Sequence, residues 1–255
     1  MLIQMETDKK IEKPFLGYGL GLRPEYYETI VETRPDVDWF EIISENYMVD
    51  GGKPLHFLDR VRENYPIVMH GVSLSIGGTD PLDQTYLKRL KQLIDRVEPQ
   101  WVSDHMCWTG QGGQNLHDLM PLPFNEETIN HVVERVQQVQ DFLGRQILLE
   151  YASIYVSYVH SEMTEWEFHA EIIQRADCFM LFDINNIYVS ARNHGFDPLE
   201  YIKGIPAERV WQFHLAGHSD YGDYVIDTHD HPVVKPVWEL CVEAMKYFCP
   251  LSAIM

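Results

Sequence analysis

Residues 178–183 read CFMLFD, five apolar side chains closed by a carboxylate. A short run that is apolar on consecutive positions is expected of a strand buried on both faces. Parallel strands are in that position when helices cover one side and a barrel interior packs the other. The same grammar recurs along the chain. YPIVMH ends at His70, WVSDH at His105, QILLE at Glu150 and VWQFH at His214. The strand candidates are Gly17–Leu22, Trp39–Ser44, Ile67–His70, Trp101–Asp104, Ile147–Glu150, Cys178–Asp183 and Val210–His214.

Helical patterns separate these runs. Leu87, Leu90, Ile94 and Val97 recur at helical spacing, as do Ile129, Val132, Val133, Val136 and Val139 behind the N-cap candidate Asn125. Thr164 and Glu167 have the spacing of a capping box. Alternating strands and helices give an α/β fold, a (β/α)8 TIM barrel. The alternative is a doubly wound open sheet, but GYGLGLRP does not continue as the GxGxxG phosphate turn. The eighth unit looks incomplete. A helix over about Val237–Tyr247 is followed by PLSAIM, so the final strand reads as truncated or unusually short.

The 255 residues suit one barrel domain, 1–255, with 1–14 expected to form a poorly ordered tail. No run approaches the length of a membrane span, and MLIQMETDKKIEKPF lacks the apolar segment of a signal peptide. A cytoplasmic protein is the expectation, with no membrane partner. Cys107, Cys178, Cys241 and Cys249 form no CxxC and read as reduced, mostly buried thiols; Cys107, two residues after His105, is the one that could approach a site there. The formal charge of −19, with no Lys/Arg cluster, argues against a nucleic-acid partner.

In a barrel, residues at the C-terminal ends of strands meet at one mouth. His70, His105, Glu150, Asp183 and His214 all occupy such ends, and imidazole with carboxylate suits zinc, iron or manganese. Taken singly, each histidine reads as a hydrogen-bonded core residue. Taken together, they read as a metal site. Asp227 and His229, in the loop after the seventh strand, could chelate one ion, although an acidic surface loop would look the same. Asn186, three residues after Asp183 in a turn leaving the strand, could add an amide oxygen. Glu150 could bridge two ions, with His70 and His105 on one, Asp183 and His214 on the second, and Asn186, Asp227 and His229 on a third. Glu150, His214 and Asp227 are the catalytic candidates. Asp104, His117 and His218 are candidates for support around the ligands, and Glu45 and Asn46 for the entrance. His131, His160 and His169 read as surface or packing residues.

HGVSLSIGG, VSDHMCW, LLEYASIY, DINNIYVSARNHGFDP and FHLAGH followed by DTH resemble the signatures of the multinuclear non-haem iron-dependent oxidative family that contains MbnB and TglH. The resemblance runs from about Gly17 to Trp238. It implies a xylose-isomerase-like TIM barrel with two or three iron ions held by His70, His105, Glu150, Asp183, Asn186, His214, Asp227 and His229. Zinc or manganese are possible substitutes. It implies dioxygen as co-substrate, a Cys-containing ribosomally made precursor peptide as substrate, and a small partner protein that recruits the peptide. Two departures stand out. The family's Glu-x-Asp motif on the last strand is absent before Met255, and Tyr151 replaces the usual Asn after the strand-five Glu. Readings on the same barrel but of another class are an apurinic-endonuclease-type hydrolase and a sugar isomerase or epimerase. A metal-storage or peptide-binding protein is the non-enzymatic alternative.

Overall fold

The computed structural model describes residues 15–248 and 253–255. Eight parallel strands close a barrel. They are β1 (Gly17–Gly21), β2 (Trp39–Ile43), β3 (Ile67–Gly71), β4 (Val102–His105), β7 (Leu148–Glu150), β8 (Phe179–Asp183), β9 (Val210–His214) and β12 (Ala253–Ile254). The order around the barrel is β1-β12-β9-β8-β7-β4-β3-β2. Two hairpins rise outside it, β5 (Trp108–Gln111) with β6 (Gln114–Met120), and β10 (Ser219–Asp220) with β11 (Val225–Ile226).

The eighth strand, β12, spans only Ala253–Ile254 of the given sequence. Ala253 pairs with Gly17 of β1 on one side and with Gln212 of β9 on the other, which completes the ring. The N-terminal tail expected over 1–14 and the thiol of Cys249 lie outside the described residues.

The outer layer comprises α1 (Tyr27–Thr33), α2 (Lys53–Arg62), α3 (Gln84–Val97), α4 (Glu126–Leu143), α5 (Glu165–Arg175), α6 (Ile184–His194), α7 (Pro198–Gly204) and α8 (Lys235–Phe248). Local chemistry sets their starts. Asn125 accepts from Thr128 N at the head of α4, and Thr164 with Glu167 makes the capping box of α5. Leu87, Leu90, Ile94 and Val97 of α3 are buried against the sheet, as the helical spacing requires.

Strand alternation builds the interior in two layers. Trp39, Val68, Trp101, Leu148, Leu181 and Trp211 form a closed apolar plug. Gly19 leaves room for it, because a Cβ there would lie 2.3 Å from the Trp39 ring. Two residues further on, the same strands present Glu41, His70, Ser103, Glu150 and Asp183, all buried. The intervening Met69, Leu149, Met180 and Phe182 face the helices and join the main core. In β9 an irregularity places Gln212, rather than Trp211, opposite Leu181, which restores the alternation so that His214 stands opposite Asp183.

Candidate metal centre

Above the apolar plug, Glu41, His70, Glu150 and His214 line a cavity of about 340 Å³ at the C-terminal mouth of the barrel. His105, Asn186, Asp227 and His229 line it as well. Two groups bring ligand atoms close enough to share an ion, His70 with His105 and Glu150, and Glu150 with Asp183 and His214. Glu150 belongs to both. Barrel register explains the convergence: His105 is paired with Glu150 across β4 and β7, and Asp183 with His214 across β8 and β9.

The ring nitrogens are committed in a way that bears on the chemistry. Ser103 Oγ lies 3.2 Å from the Met69 carbonyl and donates to it, so it accepts from His70 Nδ1 at 2.8 Å. His105 Nδ1 donates to the Gly71 carbonyl at 3.2 Å. Both histidines then turn Nε2 toward Glu150 Oε2, each at 3.1 Å. Burial lowers the His105 pKa to about 4, so that ring is neutral at pH 7. With one proton between two acceptors, a neutral His105 leaves a lone pair facing either a carbonyl or a carboxylate. A cation between Nε2 and Glu150 removes that conflict.

The remaining carboxylates point the same way. Asp183 Oδ1 accepts from Asn186 N and caps α6, whereas its buried Oδ2 has no hydrogen-bond partner. Burial, with Glu150 and Asp227 nearby, raises the Asp183 pKa to about 8. Burial alone would raise Glu150 as well, but His105, His214 and His70 outweigh it and hold it well below the usual range. His70 and His214 are raised against the pull of burial, His70 by Glu150 and His214 by Glu41 and Glu150. Buried acids and imidazoles that stabilise one another's charge are the residue types that exchange protons for a metal ion.

Asp227 and His229 are 2.9 Å apart, Oδ1 to Nε2, at the rim of the cavity. Their loop is pinned. Asn185 donates to Asp227 Oδ1 at 2.6 Å and accepts from His218 Nδ1 at 2.8 Å, and Asp227 N donates to the Tyr155 hydroxyl. The pair lines the same cavity as His70, His105, Glu150 and His214 without entering either close group. Asn186 sits in the first turn of α6, not in a turn leaving the strand. Its Oδ1 accepts from Ser153 Oγ at 2.7 Å and its Nδ2 donates to the Tyr151 carbonyl.

Several supporting roles differ from the sequence reading. Asp104 does not orient the His105 ring. It accepts from the His105 backbone N and from Tyr86 Oη, because its short side chain turns away from the mouth. Glu45 is anchored to Val72 N and Tyr86 Oη, leaving Asn46 to line the entrance. His117 is exposed on β6, away from the cavity lining, and Cys107 is buried. Glu41, Gln212, Ser103, Asn185 and Ser153 escaped sequence reasoning. A charged Glu41 inside WFEII and an amide inside VWQFH were the available signals, since buried polar groups need partners.

The fold and this mouth define a xylose-isomerase-like TIM barrel carrying clustered candidate metal ligands. The chain belongs to the MbnB/TglH/ChrH family of RiPP precursor modification enzymes, whose model matches residues 17–255. Relatives at high identity are UPF0276 proteins. One from Anaeromyxobacter sp. is 54% identical, covering 94% of this chain and 85% of its own, and one from Caulobacter vibrioides is 52% identical over 95% and 87%. Among solved structures, D-psicose 3-epimerase from Clostridium cellulolyticum superimposes with a TM-score of 0.60 at 10% identity, covering 93% of this chain and 83% of that one. Endonuclease IV from Thermus thermophilus gives 0.58 at 15%, covering 93% and 91%. At such identities the likeness shows the barrel fold alone. Among the described residues no helix is long and apolar enough to cross a membrane.

Proposed function

We propose that the protein is a multinuclear iron-dependent oxidase that uses dioxygen to modify cysteine residues of a ribosomally made precursor peptide. The observation that carries this reading is the sharing of Glu150 between two adjoining ligand groups, His70/His105 and Asp183/His214. A carboxylate with one oxygen toward each group is suited to bridging two ions. Asn186, Asp227 and His229 are the proposed ligands of a further ion at the rim. The donor set of imidazole, carboxylate and amide oxygen, without thiolate, suits iron and also accepts manganese or zinc. Iron held there would supply redox chemistry toward dioxygen and a Lewis-acidic position for a substrate thiolate.

The chain's own residues prepare that chemistry. Ser103 and the Gly71 carbonyl aim Nε2 of His70 and His105 at one point, and the α6 backbone fixes Asp183 so that Oδ2 faces inward. Glu150, His214 and Asp227 are the residues proposed to stand nearest the reacting atoms. Ile43, Val72, Leu119 and Ala152 line the same cavity and shield the ligands from bulk water, while Arg23 and Asn46 stand with them for polar contacts to a peptide. A small partner protein that recruits the peptide belongs to the same proposal, as does a cytoplasmic location. Family membership and the formal net charge of −19 both support a peptide over a nucleic acid as substrate.

The test is to incubate anaerobically iron-loaded protein, with any co-encoded partner, with a Cys-containing precursor peptide and then admit dioxygen. The reading expects dioxygen consumption together with a mass change confined to a cysteine. Cleavage of an abasic duplex, or epimerisation of a ketose, without peptide modification would replace it with the hydrolase or epimerase reading.

A further inference from the structure

We propose that Glu41 is the positioning residue that fixes the tautomer of His214 and thereby makes its Nδ1 available to a metal ion. The proposal rests on the metal reading above and adds a role for a residue outside the proposed ligand set.

His214 is a special case among the three mouth histidines. His70 and His105 face Glu150 with Nε2, but His214 faces it with Nδ1, 3.4 Å from Glu150 Oε1 and 3.9 Å from Asp183 Oδ2. For Nδ1 to offer a lone pair, the proton must reside on Nε2. Two groups compete for that nitrogen. Glu41 Oε2 lies 3.1 Å away and accepts a proton, whereas Gln212 Nε2 lies 2.9 Å away and could only donate one.

The network favours Glu41, because an ionised carboxylate holds the Nε2 proton more strongly than the second, neutral N–H of Gln212 holds the bare nitrogen. Trp101 Nε1 is a donor only, and it lies 2.6 Å from Gln212 Oε1, which fixes which way round the amide sits. Gln212 Nε2 is then directed at Glu41 Oε2, 2.6 Å away. With the amide donating to the carboxylate, Glu41 accepts from both Gln212 and His214. A hydrogen bond to an ionised acceptor is about twice as strong as one between neutral groups. Glu41, Gln212, Trp101 and His214 are all buried, so bulk water has little access to the network. The arrangement is a carboxylate–histidine pair of the kind that orients ligating imidazoles, here attached to the barrel's apolar plug through Trp101.

Cobalt(II) titration of the metal-free protein under argon tests this, because its visible spectrum reports the ligand set. Relative to wild type, Glu41→Ala should weaken the ion held by Glu150, Asp183 and His214 by about 10–100-fold and shift its absorption. Glu41→Gln, which keeps an acceptor oxygen, should lose less. Combining Glu41→Ala with His214→Ala should bind no more weakly than His214→Ala alone, since Glu41 acts through that ring. If Glu41→Ala fails to fold, Glu41→Gln with and without His214→Ala answers the same question. Wild-type affinity and spectrum in the Glu41 variants, or additive loss in the double variant, would overturn the inference while leaving the metal centre in place. A wild-type protein that takes up no cobalt would overturn the metal reading and this inference with it.

Discussion

His105 Nε2 stands 3.1 Å from Glu150 Oε2, and both groups are buried. The other ring nitrogen of His105 is directed at the Gly71 carbonyl, and burial keeps the ring neutral at pH 7. A neutral imidazole between two acceptors cannot satisfy both, so the pair is at ease only with a cation between them. Filling the centre should therefore stabilise the fold. Protein reconstituted with ferrous iron under argon should melt several degrees above the chelator-treated form, with the gain rising with free metal concentration. Identical melting curves would count against a cation in that position.

His70→Ala and Asp227→Ala should each lower bound iron, but differently. His70 belongs to a close group of ligand atoms, and its loss should weaken binding by roughly an order of magnitude or more. Asp227 lies at the rim beside His229, so its loss should release the rim ion and spare the inner ones. Elemental analysis of both variants, prepared without air, is the check. Full retention of iron in both would remove these residues from the ligand set.

Gly71→Ala should destabilise the protein and loosen His105 together. A Cβ there would lie 2.1 Å from Asp104 Oδ2, a clash with a buried side chain. Overpacking of this kind typically costs about 1–3 kcal/mol. The same residue supplies the carbonyl that orients the His105 ring. Urea unfolding and iron content should fall in parallel; a variant as stable and as metal-rich as wild type would contradict the packing described.

Glu165 gives a pH dependence separate from the mouth. Both of its carboxylate oxygens are buried without hydrogen-bond partners, and burial raises its pKa from 4.5 to about 8. Below pH 4.5 the group is protonated whether folded or unfolded, and it adds no pH dependence to stability. As pH rises toward 8 only the unfolded chain ionises freely, so the fold loses stability across that window and the loss levels off above it. Glu165→Gln should remove this slope. Its stability relative to wild type should grow between pH 5 and 8 by an amount on the order of a few kcal/mol. A constant difference across that range in denaturant titrations would show that Glu165 has another partner.

Much of this architecture was legible in the sequence because buried parallel strands leave unbroken apolar runs. CFMLFD, QILLE and VWQFH each became a barrel strand, and the residues that end them, Asp183, Glu150 and His214, come together in one close group. What alternation within a run could not reveal was the irregularity in β9, which depends on pairing with β8 and decides that Gln212 and His214 both face inward. The hairpin from Trp108 to Met120 was equally hidden, because its second strand is mostly exposed and carries no alternating pattern. Asn186 reads as a turn residue because nothing local shows that Asp183 caps a helix there. Glu41 was hidden by sequence distance: its partner His214 lies 173 positions away, and only barrel closure brings them together.

The most direct test of the account is the metal content of the protein purified without air from iron-replete cells. The account predicts about two or three iron ions per chain, falling when Glu150, the shared carboxylate, is changed to Ala. Zinc alone, or a centre that keeps its full complement of metal in Glu150→Ala, would contradict it.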